Sequence, residues 1–497
     1  MHSYKRRKLL QYGVAAAVLT ATGMPMRAQT RGGTLTAAMV AQGADGWDAR
    51  LFRDSFMISV GQGAVFDCLT EVNADGTLSG ELAIHWEASS DARVWTIDLR
   101  QGVPFHNGQM LVADDVLASI QWHMSDDVIS GARPIVSMIE KMDKLSDHQV
   151  QFTLHDGNAD FPYLLSDYHL VIYPAEHLGE PIGTGLYQVA SFVPGERFVG
   201  TRVLEHYKDG RAGWFDRVEF TAVPNDGQRL NALLTGRVDA MERVDLRAAQ
   251  SIAGQDDMRL MNVVSNQHMS FSMPTKAAPF DDLHVRAALK HGIDRAAVVD
   301  DVLMGFGSIA ADSPIGPANP YFDSTLSPLA YDPERAKWHL SQIGVDRIAV
   351  NLDVIDTAVD QIDLASQAYA SQAAHAGIDL SFGTAVNAVS VGGWYGRATE
   401  DWMLTAAHQA GSPLNASQWE DREFDLLVRA ARSELDTDVR RALYVEVQHR
   451  MRDHGGVVVP AFMNFVQAAN TRIGVPDVVG NLWPMDNGRM AERWWRA

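Results

Sequence analysis

The 497-residue chain predicts an α/β protein of two lobes or more. Three observations carry that expectation. Short period-two runs alternate with capped helical segments along the whole chain. Hydrophobic residues make up 46% of it, enough for real cores, at a length that suits roughly two to four domains. A run of turn composition, Glu180-Pro181-Ile182-Gly183-Thr184-Gly185, breaks the pattern and marks a boundary.

In order along the chain, Trp95, Ile97 and Leu99 share one face of a strand, and Val150, Phe152 and Leu154 do the same later. Between them Asp114 is expected to cap a helix whose buried stripe is Leu117, Ile120 and Met124. A mixed sheet-and-helix domain thus reaches about residue 180. Beyond it, Tyr187 to Phe192 and Asp216 to Val223 read as strands, and a helix covers Gln228 to Leu234 and stops at Gly236. From about residue 280 the chain is expected to turn helical. Asp332-Pro333-Glu334-Arg335-Ala336 supplies an N-cap and a proline at the first helical position, with Gly344 as the stop. Asp294 and Asp436 are similar caps, with the stripes Val298, Val302 and Leu443, Val447, Met451.

Composition narrows the function. The 42 basic against 62 acidic residues give a formal charge of −20, the wrong balance for a chain whose main partner is nucleic acid. One cysteine, Cys68, excludes an intramolecular disulfide and a thiolate metal cage; its apolar neighbours suit a packing role. The N-terminus joins a basic stretch, Lys5-Arg6-Arg7-Lys8, to a short apolar run through Leu19 and small residues around Ala28, the three parts of a cleavable export signal. Arg6-Arg7 followed by Lys8-Leu9-Leu10 resembles the twin-arginine signal, and the Sec route would accept the same apolar run. The run falls short of a membrane span. Removing residues 1–28 leaves 37 basic against 62 acidic residues, a net charge of −25, and the mature protein is expected to be soluble and periplasmic.

Catalytic patterns are missing: the sequence holds no His-Glu-x-x-His, no phosphate loop, no Gly-x-Ser-x-Gly elbow and no Gly-x-Gly-x-x-Gly. An exported hydrolase is therefore the weaker of two function classes, and a binding protein the stronger.

Several long segments carry a resemblance. Leu82-Ala83-Ile84-His85-Trp86-Glu87 is followed by Trp95-Thr96-Ile97-Asp98-Leu99-Arg100-Gln101-Gly102-Val103-Pro104-Phe105-His106-Asn107-Gly108. Then come Gly183-Thr184-Gly185-Leu186-Tyr187, Asn231-Ala232-Leu233-Leu234-Thr235-Gly236, Val285-Arg286-Ala287-Ala288-Leu289 and Tyr331-Asp332-Pro333-Glu334-Arg335-Ala336. Together they resemble the extracytoplasmic solute-binding proteins of ABC importers, in the large dipeptide/oligopeptide/nickel-binding family, family 5. The resemblance implies a periplasmic binding protein-like fold with two lobes and a hinge, in the large three-domain architecture (class II, cluster C type). It implies a discontinuous lobe I over 30–65, 184–265 and 465–497, an inserted domain II over 66–183 and a lobe III over 266–464. It also implies no enzyme activity and no cofactor. The partners would be a peptide or other small-molecule ligand and the ABC permease and ATPase complex of the inner membrane, with the binding protein itself a monomer.

Ligand-reading residues are sought first in Gly392-Gly393-Trp394-Tyr395-Gly396-Arg397-Ala398-Thr399-Glu400-Asp401-Trp402, where two indoles, a phenol and a cation crowd between glycines in what reads as a recognition loop. Dipeptide binders that this chain resembles place an aspartate for the peptide's amino terminus after Gly-Trp-x-Gly. Here Arg397 stands at that position, and a guanidinium pairs with a carboxylate or phosphate instead. The candidate ligand-binding residues are Trp394, Tyr395, Arg397, Glu400, Asp401 and Trp402, with Glu400 or Asp401 as the alternative contact for an ammonium. Ser272 joins them, near which relatives often carry an asparagine, and so does Trp483; Trp47 and Tyr321 are weaker candidates. A peptide or peptide-like solute is the first expectation, and an anionic opine or sugar conjugate the alternative. No histidine cluster suggests a metal.

Overall fold

The computed structural model describes residues 29, 31–41, 43, 46–355 and 361–497, so the expected export signal lies outside the described residues. Its largest sheet runs through both lobes. From one edge the strand order is Ile378–Phe382, Ile348–Val354, Val389–Trp394, Met258–Ser272, Ala461–Asn470, Ala240–Met241, Thr34–Met39, Arg217–Ala222, Arg197–Arg202 and Tyr187–Val193. A second, four-stranded antiparallel sheet is formed by Ala83–Ala88, Val94–Leu99, Gln149–Leu154 and Ile139–Ser146. Among the described residues no helix is long and apolar enough to cross a membrane.

The hydrophobic residues divide into separate cores, as period-two strands and one-faced helices require. One core packs Leu35, Phe56, Phe66, Tyr187, Phe220 and Trp494 together, so segments from both ends of the chain and its middle build one body, which also takes in Cys68 and Tyr168 from the range expected of domain II. Cys68 is wholly buried there, where burial pushes its thiol up. Domain II buries the faces carrying Trp95, Ile97, Leu99, Val150, Phe152 and Leu154. Lobe III holds two cores, one around Phe271, Leu352 and Tyr369 and one around Tyr321, Phe424 and Tyr444. Trp47 packs on Phe192 and Phe66 in lobe I, and Tyr321 against Tyr444 in lobe III. The connection between the lobes is made by neighbouring antiparallel strands, Met258–Ser272 and Ala461–Asn470, whose register shifts between Val263 and Gln267. Such a bulge bends and twists the pair where it leaves one lobe for the other.

Local chemistry explains most helix starts. Asp294 accepts from the Ala297 N–H, Asp332 from Arg335 and Asp436 from Asp438 and Val439, each satisfying amides that the first turn leaves open. The helix Ala113–Trp122 differs from expectation. Asp114 points to solvent and pairs with Lys144, and it is Asp115 that accepts from the Val112 N–H. The stretch after residue 280 is not simply helical either, since it contributes Gly307–Ile309, Ile348–Val354, Ile378–Phe382, Val389–Trp394 and Ala461–Asn470. Gly183 and Gly185 act by close approach: a Cβ on either would collide with backbone of Ala64 and Val65 where the chain re-enters lobe I.

One buried ion cluster joins domain II to lobe I. Lys208 Nζ donates to Asp67 (2.9 Å), Glu81 (2.5 Å) and Glu492 (3.0 Å). Arg489 reaches both oxygens of Glu81 at 2.7 and 3.1 Å, and Arg493 bridges Glu71 and Asp486. The Asp67, Glu81 and Glu492 oxygens stand near enough to one another to share a cation, and the lysine ammonium fills that role.

Candidate ligand-binding cleft

All three bodies contribute walls to one cavity of about 550 Å³, within the range of small-molecule sites. Lobe I supplies Arg50, Arg53, Asp54, Glu242, Arg243 and Trp483; domain II supplies Ile129, Gly131, Pro134, Tyr168 and His169; lobe III supplies Tyr395, Arg397, Trp402 and Leu414. A second cavity of about 820 Å³ adjoins it between domain II and lobe III, sharing Ile129, Gly131, Pro134, Trp402 and Leu414.

The stretch 392–402 is not one loop. Gly392, Gly393 and Trp394 end the strand Val389–Trp394, residues 395–398 turn, and Thr399 caps the helix Glu400–His408 by accepting from the Trp402 N–H. The turn directs Tyr395 and Arg397 into the cavity wall, and the first helical turn brings Trp402 beside them. Arg397 lies over the Trp402 ring, 4.6 Å from its centroid, and 5.7 Å from that of Trp394. Its Nη1 donates to the Tyr395 and Gly396 carbonyls at 3.1 and 3.2 Å, which pins the side chain to its own turn. Its Nε is buried with no hydrogen-bond partner. Burial also lowers the guanidinium's pKa, against the pull of Tyr168 and Asp167. Tyr168 meets Trp483 edge-on at 5.1 Å, and Trp483 lies 6.0 Å from Tyr395, so the aromatic wall spans all three bodies.

Other candidate residues lie elsewhere. Trp394 is half-buried against the second core of lobe III. Glu400 accepts from the Tyr321 N–H at 2.7 Å, and burial, with Asp160 nearby, pushes its carboxyl up to about 7. Asp401 pairs with Arg432 at 2.9 Å and faces the adjoining cavity. Ser272 sits in the buried end of Met258–Ser272, paired with Ser390 and Val457. Trp394, Glu400, Asp401 and Ser272 are therefore absent from the wall of the central cavity.

Most of the wall has no local sequence signal. Asp54 could be read only as a helix cap, which it is, accepting from the Met57 N–H. Arg243 holds a left-handed backbone (φ 48°), a conformation that non-glycine residues adopt mainly where surrounding structure imposes it. Glu242 accepts from the Val40 N–H at 2.8 Å, and burial raises its carboxyl. The wall thus carries four arginines and two acids, with Arg50 already paired to Asp48 and Asp127.

Domain II and lobe III also touch beside the cavities. Arg440 and Asp160, both buried, pair at 2.5 Å, and the Ala159 N–H donates to the Arg432 carbonyl at 2.7 Å.

The family model for bacterial extracellular solute-binding proteins, family 5 Middle, matches residues 77–431. Heme-binding protein A of Haemophilus influenzae is 26% identical over 311 residues, 56% of this chain and 56% of that protein. Di/tripeptide-binding protein 2 of Pseudomonas aeruginosa is 27% identical over 500 residues, covering 89% of this chain and 91% of its own. Among solved structures, the PBP AgaA in complex with agropinic acid, from A. tumefacien R10, is similar with a TM-score of 0.79 and 22% identity, over 94% of this chain and 99% of that chain.

Proposed function

Since the chain belongs to the bacterial extracellular solute-binding proteins of family 5, we propose that it captures a small organic solute bearing a carboxylate between its lobes and delivers it to an ABC permease. The observation that carries this reading is the cavity itself: walled from three bodies, lined by Tyr168, Tyr395, Trp402 and Trp483, and holding more arginine than acid. Apolar walls with a few fixed polar groups suit binding and orientation. A short peptide and an opine both carry the required carboxylate. The similarity to a di/tripeptide-binding protein supports the first and that to an agropinic acid complex the second. Glu400 and Asp401 are engaged with protein partners away from the wall.

Native mass spectrometry of freshly purified protein should reveal a bound solute, and thermal melting against dipeptides and opines should show stabilisation by mass action. Conversion of any of these compounds to product would overturn the reading. For the solute so identified, Arg397→Ala should weaken binding about tenfold or more, the worth of one charge-assisted contact. Calorimetry giving wild-type affinity would remove Arg397 from the contact.

A further inference from the structure

Domain II brings one more ionisable group to the cavity. His169 Nδ1 lies 2.6 Å from Asp167 Oδ1, which also accepts the His169 backbone N–H at 3.0 Å. Tyr168 stacks on the imidazole with centroids 4.0 Å apart. The carboxylate draws the ring proton to Nδ1 and fixes the ring's orientation, leaving Nε2 as the other edge. Nε2 lies against Gly131, and the room for it exists because that residue lacks a side chain: an added Cβ would fall well inside contact distance. Gly131 and His169 line the central cavity, as does Arg397 from lobe III. Asp167 and Arg397 feel each other's charge across the gap. Burial works against ionisation of Asp167, but His169 and Arg397 outweigh it and hold the carboxyl below its ordinary range.

We propose that Arg397 and His169 form a two-sided clamp for one anionic group of the solute, a carboxylate or a phosphate, gripped by lobe III on one side and domain II on the other. The proposal rests on the solute-capture reading and adds its domain II contact. With Nδ1 donating to Asp167, a neutral His169 would present an Nε2 lone pair to the anion and repel it. Only the imidazolium donates on both edges. Anion binding therefore takes up one proton from solvent, which goes to Nε2, and the buried Asp167 carboxylate compensates the charge.

Other ionisable groups face His169. His123, at the end of the helix Ala113–Trp122, is pushed down to about 3, by burial first and by His169 next. Burial pushes the Tyr168 phenol up. Arg50 carries its charge throughout, paired with Asp48 and Asp127. Asp54 adds a carboxylate from lobe I. Glu242, whose carboxyl burial raises, is the cavity acid to control for.

Sulfate is a suitable probe because it remains a dianion between pH 6 and 8, while an imidazole gains its proton there. Calorimetric titration of the full chain with sodium sulfate, at constant ionic strength, should give an affinity that rises severalfold as pH falls across that range. Arg397→Gln should weaken sulfate about tenfold. His169→Gln should weaken it and flatten the pH dependence, and a slope lost in Glu242→Gln but kept in His169→Gln would assign it to that carboxyl and overturn the clamp. Gly131→Ala, which retains the imidazole but crowds Nε2, should flatten it too and covers the case in which the histidine variant does not fold. A wild-type slope in both His169→Gln and Gly131→Ala overturns the clamp, and so does a wild-type protein without saturable sulfate binding. If the co-purified solute still binds wild type, Arg397→Gln and His169→Gln equally, solute capture stands and the clamp falls.

Discussion

Replacing Lys208 with methionine is expected to cost about 3–5 kcal/mol of folding stability, the usual penalty for removing one partner of a buried ion cluster. The ammonium is buried among Asp67, Glu81 and Glu492, and methionine fills its volume without its charge. Arg489 and Arg493 remain, but Arg489 is committed to Glu81 and Glu492 and Arg493 to Glu71 and Asp486. Asp67, which against burial is held below the ordinary carboxylate range by Lys208, would then have a folded-state pKa above its unfolded one, as buried Glu81, pushed up to about 8, already does. The folded form binds more protons than the unfolded chain in that interval, so the deficit is full above the folded pKa and shrinks as pH falls towards the unfolded value of about 4. Urea unfolding at pH 7.5 and pH 5 measures both the size and the sign. A deficit under about 1 kcal/mol, the range of an exposed pair, would show that the cluster does not hold the junction.

Asp160→Asn is expected to act on the closing of the cleft more than on the fold of either body. Asp160 belongs to domain II and Arg440 to lobe III, and both are buried where the two bodies meet. An ion pair made across a closing gap stabilises only the closed form, so its loss shifts the equilibrium towards open. A penalty of about 3 kcal/mol on the closed state alone weakens ligand binding by about a hundredfold. Calorimetry with the identified solute, together with small-angle scattering of the free and loaded protein, reports affinity and shape separately. Wild-type affinity and scattering with only a lowered melting temperature would make the pair a fixed joint rather than a closing contact.

How much of this was readable in advance depends on the range of the interaction involved. The faces Trp95, Ile97, Leu99 and Val150, Phe152, Leu154 alternate visibly because one side of their sheet is packed and the other half-exposed. Caps at Asp294, Asp332 and Asp436 are readable because they are made within three residues. Asp114 and Asp115 are adjacent acids, and which of them reaches back to Val112 depends on helix phase rather than composition. The strands after residue 280 are short and interleaved with helices, so a few period-two residues compete with strong helical stripes and caps. In the cleft, Tyr395, Arg397 and Trp402 advertised themselves by crowding together in sequence. Tyr168, His169, Glu242 and Arg243 did not, because they face the cavity only once three separately cored bodies have docked.

The make-up of lobe I has a consequence for the order in which the protein can be built. Its core needs Leu35 near one end and Met490 and Trp494 near the other, and the Lys208 cluster is incomplete without Arg489, Glu492 and Arg493. A chain emerging from the ribosome can assemble domain II, whose core lies between Leu69 and Ile172, long before lobe I has its last partners. Until residue 494 is free, the early strands of lobe I expose apolar faces, Glu81 lacks Arg489 and Glu71 lacks Arg493. Completion of lobe I therefore waits for the segment that carries Met490 and Trp494, which acts as its trigger.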